Sequence, residues 1–215
     1  MFRAVSVSLI LALPVALSAQ VCRGVPALGT NSVGSVRVGS SFFDGGKSYG
    51  VAATYGRQIF GSAGFSYVKS DGTDFTENVL EGMIAYEATL ENSTVSVCPG
   101  FGIAYSFGLE IVGMDIVGVT AGPSLAVGLE VDLSSSIALV PFTETTVRFS
   151  RFTRDDPGPL GQEIIADLSA RLLLGVSFLF RDRISLGPSV SLPITTNEGD
   201  TAFLVGLSVA LGGGR

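Results

Sequence analysis

Histidine is absent from this chain of 215 residues. Without an imidazole the chain has no Ser-His-Asp or Cys-His nucleophile system, no histidine metal ligand and no histidine general base. The carboxylate pair Asp155–Asp156 lies in a segment rich in proline and glycine, where solvation explains it. We therefore expect no enzyme activity and no cofactor.

Positive charge is also scarce, with 13 lysines and arginines against 19 acidic residues and a formal net charge of −6. Nucleic-acid binding rests largely on the neutralisation of phosphates by lysine and arginine. The sequence contains no basic patch, so we expect no nucleic-acid partner.

Long apolar runs are missing after residue 19, although the mean hydropathy of +0.51 is high. The longest candidate, Leu172 to Phe180, is interrupted by Gly175 and Ser177, whereas a membrane-spanning helix needs about 20 apolar residues. A hydrophobic chain without such a helix has one membrane-spanning option left, which is a closed β-barrel.

The N-terminus has the pattern of an export signal. Arg3 precedes an apolar stretch from Ala4 to Leu17, and small residues follow it, which predicts a signal peptide over residues 1–19. A lipoprotein site at Cys22 is one alternative, although Val21 before it fits that signal poorly. A membrane anchor is another, although the apolar stretch is short for one.

Apolar residues at every second position dominate the remaining chain, most clearly from Val117 to Val131. This period of two is typical of β-strands with one apolar face. It predicts an all-β, closed, antiparallel, up-and-down transmembrane barrel over residues 33–215, with ten strands or alternatively eight. The ten predicted strands span 33–43, 48–57, 61–69, 76–88, 94–107, 116–132, 136–152, 163–180, 184–194 and 202–211.

The predicted connections alternate in length. Those after the second, fourth, sixth and eighth strands are short, and we expect longer loops at 70–75, 108–115, 153–162 and 195–201. The first hairpin, at Asp44 to Lys47, is the exception because it is tight on the side of the long loops. Short periplasmic turns, longer external loops and an even strand number are typical of outer-membrane barrels. The pattern therefore predicts that both termini are periplasmic.

Aromatic residues cluster at the strand ends, as expected for two rings at the membrane interfaces. The predicted loop-side ring comprises Phe42, Tyr49, Tyr67, Phe75, Tyr105, Phe107, Phe149, Phe152 and Phe203. The predicted turn-side ring comprises Tyr55, Phe60, Phe178 and Phe180.

Small residues dominate the other face of the strands, for example Gly50, Ala52 and Thr54. A water-facing exterior normally carries abundant lysine and glutamate, so this face suits a lumen, with the apolar face towards lipid. A soluble barrel that encloses an apolar ligand would have the two faces exchanged.

The few charges on the predicted inner face form a candidate site. Glu144 and Arg148 on one strand, with Asp167 and Arg171 on the next, predict a lumen charge cluster. Such a cluster can act as a gate or selectivity lining, or its charges can pair simply because burial would otherwise be costly. Further residues predicted to face inward are Arg37, Glu81, Glu87 and Glu130.

Two cysteines in an exported chain favour a Cys22–Cys98 disulfide, with two free thiols as the alternative. The bridge would hold the periplasmic N-terminal segment, residues 20–32, near the barrel mouth as a staple or a partial plug. Prolines within strands delete ladder hydrogen bonds, so we expect bulges or bends at Pro99, Pro123, Pro141 and Pro188.

The chain resembles the small bacterial outer-membrane β-barrels of the OmpA membrane-domain and opacity-like type. The resemblance rests on Val97–Gly102, Leu139–Phe142, Arg183–Pro193 and the last strand, Gly206–Leu211, although the chain ends in Gly212-Gly213-Gly214-Arg215 instead of an aromatic residue.

The resemblance implies a monomer in a Gram-negative outer membrane, with outer-membrane lipid, lipopolysaccharide and the barrel assembly machinery as partners. The expected role is structural or interactive, through external loops with an unidentified partner. Alternatives are a narrow pore for small solutes and a soluble periplasmic barrel that binds an apolar ligand.

Overall fold

The structure, a computed structural model, describes residues 34–56, 58–71, 76–90, 94–111, 114–154, 163–181, 183–195 and 201–211. The predicted signal peptide and the segment 20–32 lie outside these residues. The described strands are β1 (Gly34–Phe43), β2 (Gly46–Gly56), β3 (Ile59–Ser70), β4 (Thr76–Tyr86), β5 (Ala88–Thr89), β6 (Val95–Ile111), β7 (Met114–Leu129), β8 (Val131–Ser134), β9 (Ile137–Arg154), β10 (Glu163–Phe180), β11 (Ile184–Pro193) and β12 (Ala202–Leu211).

Ten of these strands form a closed antiparallel ring. Each pairs with its neighbours in the order β1-β2-β3-β4-β6-β7-β9-β10-β11-β12, and β12 pairs with β1. The short strands β5 and β8 continue β4 and β7, and pair with β6 and β9 respectively. The predicted ten-stranded up-and-down barrel is therefore confirmed.

The ring closes with a stagger between strands. Paired residues can be followed around the ring from Arg37 in either direction. Through β12 and β11 they lead to Leu179 on β10. Through β2, β3, β4, β6, β7 and β9 they lead to Asp167 on the same strand. The offset is twelve residues (179 minus 167), which for ten strands gives a strand tilt of about 40°.

At one connection, most of the residues predicted as a loop belong to strands. β6 continues to Ile111 and β7 begins at Met114, so the predicted loop 108–115 was wrong. The register shifts between Ser106 and Leu109, where Gly108 has a φ of 72°. Since glycine adopts positive φ without steric cost, the strand absorbs an irregularity here and continues pairing.

Bulges or bends were predicted at the four strand prolines, and the register shift that a bulge produces is absent from all four. The ladder instead opens locally on one side of each proline while the register stays the same. Beside Pro141, for example, Gly128 pairs with Phe142 and Val131 with Leu139, with unpaired residues between them. Proline lacks the N–H that a ladder bond needs, so one pairing is lost without a shift of the strands. The same holds for Pro99, Pro123 and Pro188.

Apolar side chains cover the outside of the barrel. On β2 Val51 and Tyr55 are 47% and 74% exposed, whereas Gly50, Ala52 and Thr54 are half-buried. The same alternation exposes large apolar residues on other strands, among them Val38, Phe65, Leu80, Ile84, Phe101, Ile103, Val119, Leu125, Leu168, Leu174, Leu186, Val205, Leu207 and Val209.

Most predicted ring aromatics lie on this outer face. Exposed members at the loop-side ends are Phe42, Tyr49, Tyr67, Tyr105, Phe149 and Phe203, and those at the turn-side ends are Tyr55, Phe178 and Phe180. Phe60 corrects the prediction because it is buried inside the barrel. Phe152 also faces inward, with its ring against Gly118 on the neighbouring strand, and Phe75 lies outside the described residues.

Candidate functional site

A cavity of about 400 Å³ lies inside the barrel, mainly against the wall formed by β1, β2 and β3. Gly34 and Gly56 line it near the turn-side ends of their strands, and Ser41 and Ser48 line it near the loop-side ends. The wall is built from inward-facing glycine, alanine, serine and threonine. Because these side chains are small, they leave free space that larger residues would fill.

Five charged side chains from four strands line this cavity. Arg37 comes from β1, Glu81 from β4, Glu144 and Arg148 from β9, and Arg171 from β10. Three members of the predicted cluster are therefore brought together, along with two residues that were predicted only to face inward.

Asp167, the fourth predicted member, is half-buried but does not line the cavity. It lies four residues before Arg171 on β10, nearer the loop side. Its Oδ1 accepts a hydrogen bond from the backbone N–H of Leu168 at 2.9 Å.

The register of β9 and β10 arranges these charges diagonally. Arg148 lies opposite Ser169, which makes Asp167 and Arg171 its diagonal neighbours. Diagonal positions across a ladder are about 7–8 Å apart, which long side chains can bridge. Each arginine on this wall therefore has an acidic residue within reach.

Two glycines make room for charged side chains on the opposite part of the wall. A Cβ at Gly206 would lie 2.9 Å from Nε of Arg37, and a Cβ at Gly64 would lie 2.9 Å from Oε1 of Glu81. The guanidinium and the carboxylate thus lie directly over backbone that carries no side chain. Sequence reasoning missed these contacts because the glycines are far from the charges along the chain.

Hydroxyl groups hold parts of the lining in place. Nε of Arg171 donates a hydrogen bond to Oγ of Ser191 on β11 at 2.9 Å. Oγ of Ser41 and Oγ of Ser48 lie 2.7 Å apart across β1 and β2. The cavity surface therefore offers both charges and neutral hydroxyl groups to water or a solute.

Apolar side chains fill another part of the interior. Phe60, Met83, Ala85, Cys98 and Ala126 form one buried cluster. Separate clusters join Val140 and Phe142 with Leu173, and Ala138 and Leu179 with Ala210. These clusters narrow the interior, and three of their members, Phe60, Met83 and Leu173, also line the cavity.

Glu87 and Glu130 do not line the cavity. They lie where β4 gives way to β5 and β7 to β8, beside the proline-associated gaps. The N–H of Glu87 donates to the carbonyl of Gln58 at 2.8 Å, and that of Glu130 donates to the carbonyl of Thr94 at 3.1 Å. Their backbone groups therefore continue the pairing where the regular ladder stops.

Cys98 is 2% exposed and faces the interior near the turn-side end of β6. Its predicted partner, Cys22, lies outside the described residues, so the disulfide stays a prediction. Within the described ranges no group of three His, Cys, Asp or Glu residues could hold a metal ion. No helix among the residues described is long and apolar enough to cross a membrane.

No protein-family model and no curated protein sequence matches the chain. Among solved structures, it is similar to the N-terminal β-barrel domain of Pseudomonas aeruginosa OprF, with 9% identity and a TM-score of 0.40, over 84% of this chain and 99% of that chain. It is also similar to the KdgM porin, with 10% identity and a TM-score of 0.43, over 82% of this chain and 99% of that chain. Likeness at this level carries no information on a ligand or a role.

Proposed function

We propose that the chain is a bacterial outer-membrane β-barrel protein whose main role is structural or interactive, through the segments at its loop side. The membrane assignment rests on the large apolar side chains that are exposed on the outside of the barrel, such as Val51, Phe101 and Ile103. A soluble barrel keeps such residues inside, since exposed apolar area costs roughly 25 cal/mol per Å² in water. A closed ring leaves no unpaired strand edge in lipid, as a bilayer requires.

The filled interior favours a structural or interactive role over that of an open channel. The apolar clusters around Phe60 and Phe142 occupy space that a wide water-filled pore would need. A barrel of this kind anchors its connecting segments at the membrane surface. We expect a monomer with periplasmic termini, a signal peptide over residues 1–19 and no enzyme activity.

The membrane assignment is tested by cell fractionation and by gel electrophoresis with and without boiling. An outer-membrane barrel fractionates with the outer membrane, and its mobility changes when boiling opens the ring. Recovery in the soluble periplasm, with no change of mobility, would contradict the assignment and favour a barrel that carries an apolar ligand.

The interactive role is tested by deleting Asp155 to Leu160, a predicted loop outside the described residues. We expect the variant to keep its boiling-dependent mobility and to lose the partners that crosslink to the intact protein at the cell surface. Unchanged crosslinking would contradict a role for this loop.

A narrow pore is the second candidate, favoured by the extent of the cavity along β1 and β2. It reaches from Gly34 and Gly56 to Ser41 and Ser48, that is, between the two ends of these strands. Single-channel steps in a planar bilayer that change in the Glu144→Gln or Arg148→Gln variant would establish this function. A silent bilayer at high protein load would remove it.

A further inference from the structure

The chain contains two lysines, Lys47 and Lys69, and the fold places them directly opposite each other. Lys47 lies on β2 and Lys69 on β3, in a row that continues to Phe42 on β1. Phe42 is exposed on the outer face, and residues paired across a ladder share a face. Both ammonium groups therefore belong to the outer face of the barrel.

Directly opposed like charges destabilise a strand pair. In the part of the chain that the structure describes, no carboxylate forms an ion pair with either lysine. Asp44 and Asp71 lie nearer the tips of their hairpins, and Asp71 occupies the position diagonal to Lys47 without pairing with it. An anion bound between the two ammonium groups would attract both of them and offset their mutual repulsion.

The level of the lysines along the barrel indicates where that anion comes from. Tyr49 and Tyr67 form the outward pair two residues nearer the middle of the barrel, and both are exposed. Tyrosines of this kind mark the level of lipid headgroups in membrane proteins. The lysines lie just beyond it, where the phosphates of a lipid leaflet would be.

We propose that Lys47 and Lys69, with the hydroxyl groups of Tyr49 and Tyr67, bind a phosphate of lipopolysaccharide on the loop side of the barrel. The proposal rests on the proposed membrane location. Each ammonium donates charge-assisted hydrogen bonds to phosphate oxygens. Each tyrosine hydroxyl donates another from the side nearer the middle of the barrel. The two opposed ammonium groups thereby bind one phosphate together.

Lysine acylation provides a direct test because only two side chains can react. Purified protein in a non-ionic detergent is treated with an amine-specific acylating reagent, and intact mass counts the groups added. We expect bis-phosphorylated lipid A to slow the acylation of both lysines about tenfold, with the N-terminal amine as the internal reference. Dephosphorylated lipid A should give no protection.

Inorganic phosphate separates the two sources of the same anion. Equal protection by inorganic phosphate at the same concentration would assign the site to a soluble anion and overturn the lipid proposal. Unchanged acylation with lipid A would overturn the site altogether.

Variants test the same site by lipid A binding in native mass spectrometry. The Lys47→Gln/Lys69→Gln variant should bind about tenfold more weakly, whereas Asp71→Asn should bind more tightly because it removes a nearby negative charge. Arg181→Gln, an exposed cation at the turn-side end, is the matched control and should bind as the parent does. Equal binding by the double variant would overturn the proposal.

Failure of this site differs from failure of the membrane assignment. If the parent protein changes mobility on boiling but its lysines are not protected, only the proposed lipopolysaccharide site is overturned. If the protein is soluble and its mobility does not change, both the site and the membrane assignment are overturned.

Discussion

Glu144 and Arg171 occupy diagonal positions on the two longest strands of the barrel. Glu144 lies opposite Leu173, and Arg171 lies opposite Thr146. Both side chains line the same cavity, and Glu144 is only 6% exposed. A carboxylate buried to this extent depends on nearby positive charge and hydrogen bonds for its stability.

Removal of the guanidinium should therefore destabilise the barrel. We expect Arg171→Met to lower the free energy of unfolding by about 2 kcal/mol, below the value for a fully dry pair because the cavity admits water. Urea unfolding in lipid vesicles measures the change. The double variant Glu144→Gln/Arg171→Met should recover part of the loss, and an equal loss in the two variants would contradict coupling between these residues.

Gly122 should tolerate no side chain. A Cβ there would overlap the carbonyl oxygen of Val147, a backbone atom that cannot move alone. We expect Gly122→Ala to cost about 2–3 kcal/mol, as overpacked sites do. Gly61→Ala is the matched control, since its nearest contact would be at 3.7 Å, and a similar cost for both variants would contradict the prediction.

The orientation of the two faces can be tested with one charge on each. Ile103 is 54% exposed on the outer face, so Ile103→Arg places a guanidinium in lipid at a cost of about 2–4 kcal/mol near the bilayer midplane. Ser66→Arg places the same group at the cavity wall and should cost less. Unfolding in vesicles compares them, and the opposite order would mean that the apolar face is not lipid-exposed.

Phe60 should restrict passage through the interior. It lines the cavity and belongs to the buried cluster with Met83 and Cys98, so Phe60→Ala opens space on the inner wall. We expect a higher planar-bilayer conductance than that of the parent protein. Phe101→Ala, on the exposed outer face, controls for loss of an aromatic ring, and equal conductance in all three proteins would contradict a constriction at Phe60.

The Cys22–Cys98 disulfide predicts a specific thiol count. Protein purified without reductant should take up no alkylating reagent under denaturing conditions, and should take up two equivalents after reduction, because both cysteines are then free. Intact mass measures both states. Two alkylated cysteines before reduction would contradict the bridge.

Local periodicity predicted the elements well but not every orientation. The bounds of β10 and β12 are as predicted, because alternation over many residues leaves little freedom in the choice of strand. The prediction that Phe60 belongs to the turn-side ring was wrong, because it rested only on the position of Phe60 beside a predicted strand end. Its odd separation from the exposed Phe65 already indicates the opposite face.

The sequence alone determined which residues share a face, since successive side chains in an extended backbone alternate in direction. Only the tertiary structure decided which residues meet across the barrel. The twelve-residue stagger brings distant charges into one cavity, and the β2–β3 register places Lys47 opposite Lys69. The hairpin turn between β2 and β3 sets the second of these registers. The shared cavity depends instead on how ten strands close into a ring, and no short stretch of sequence specifies that closure.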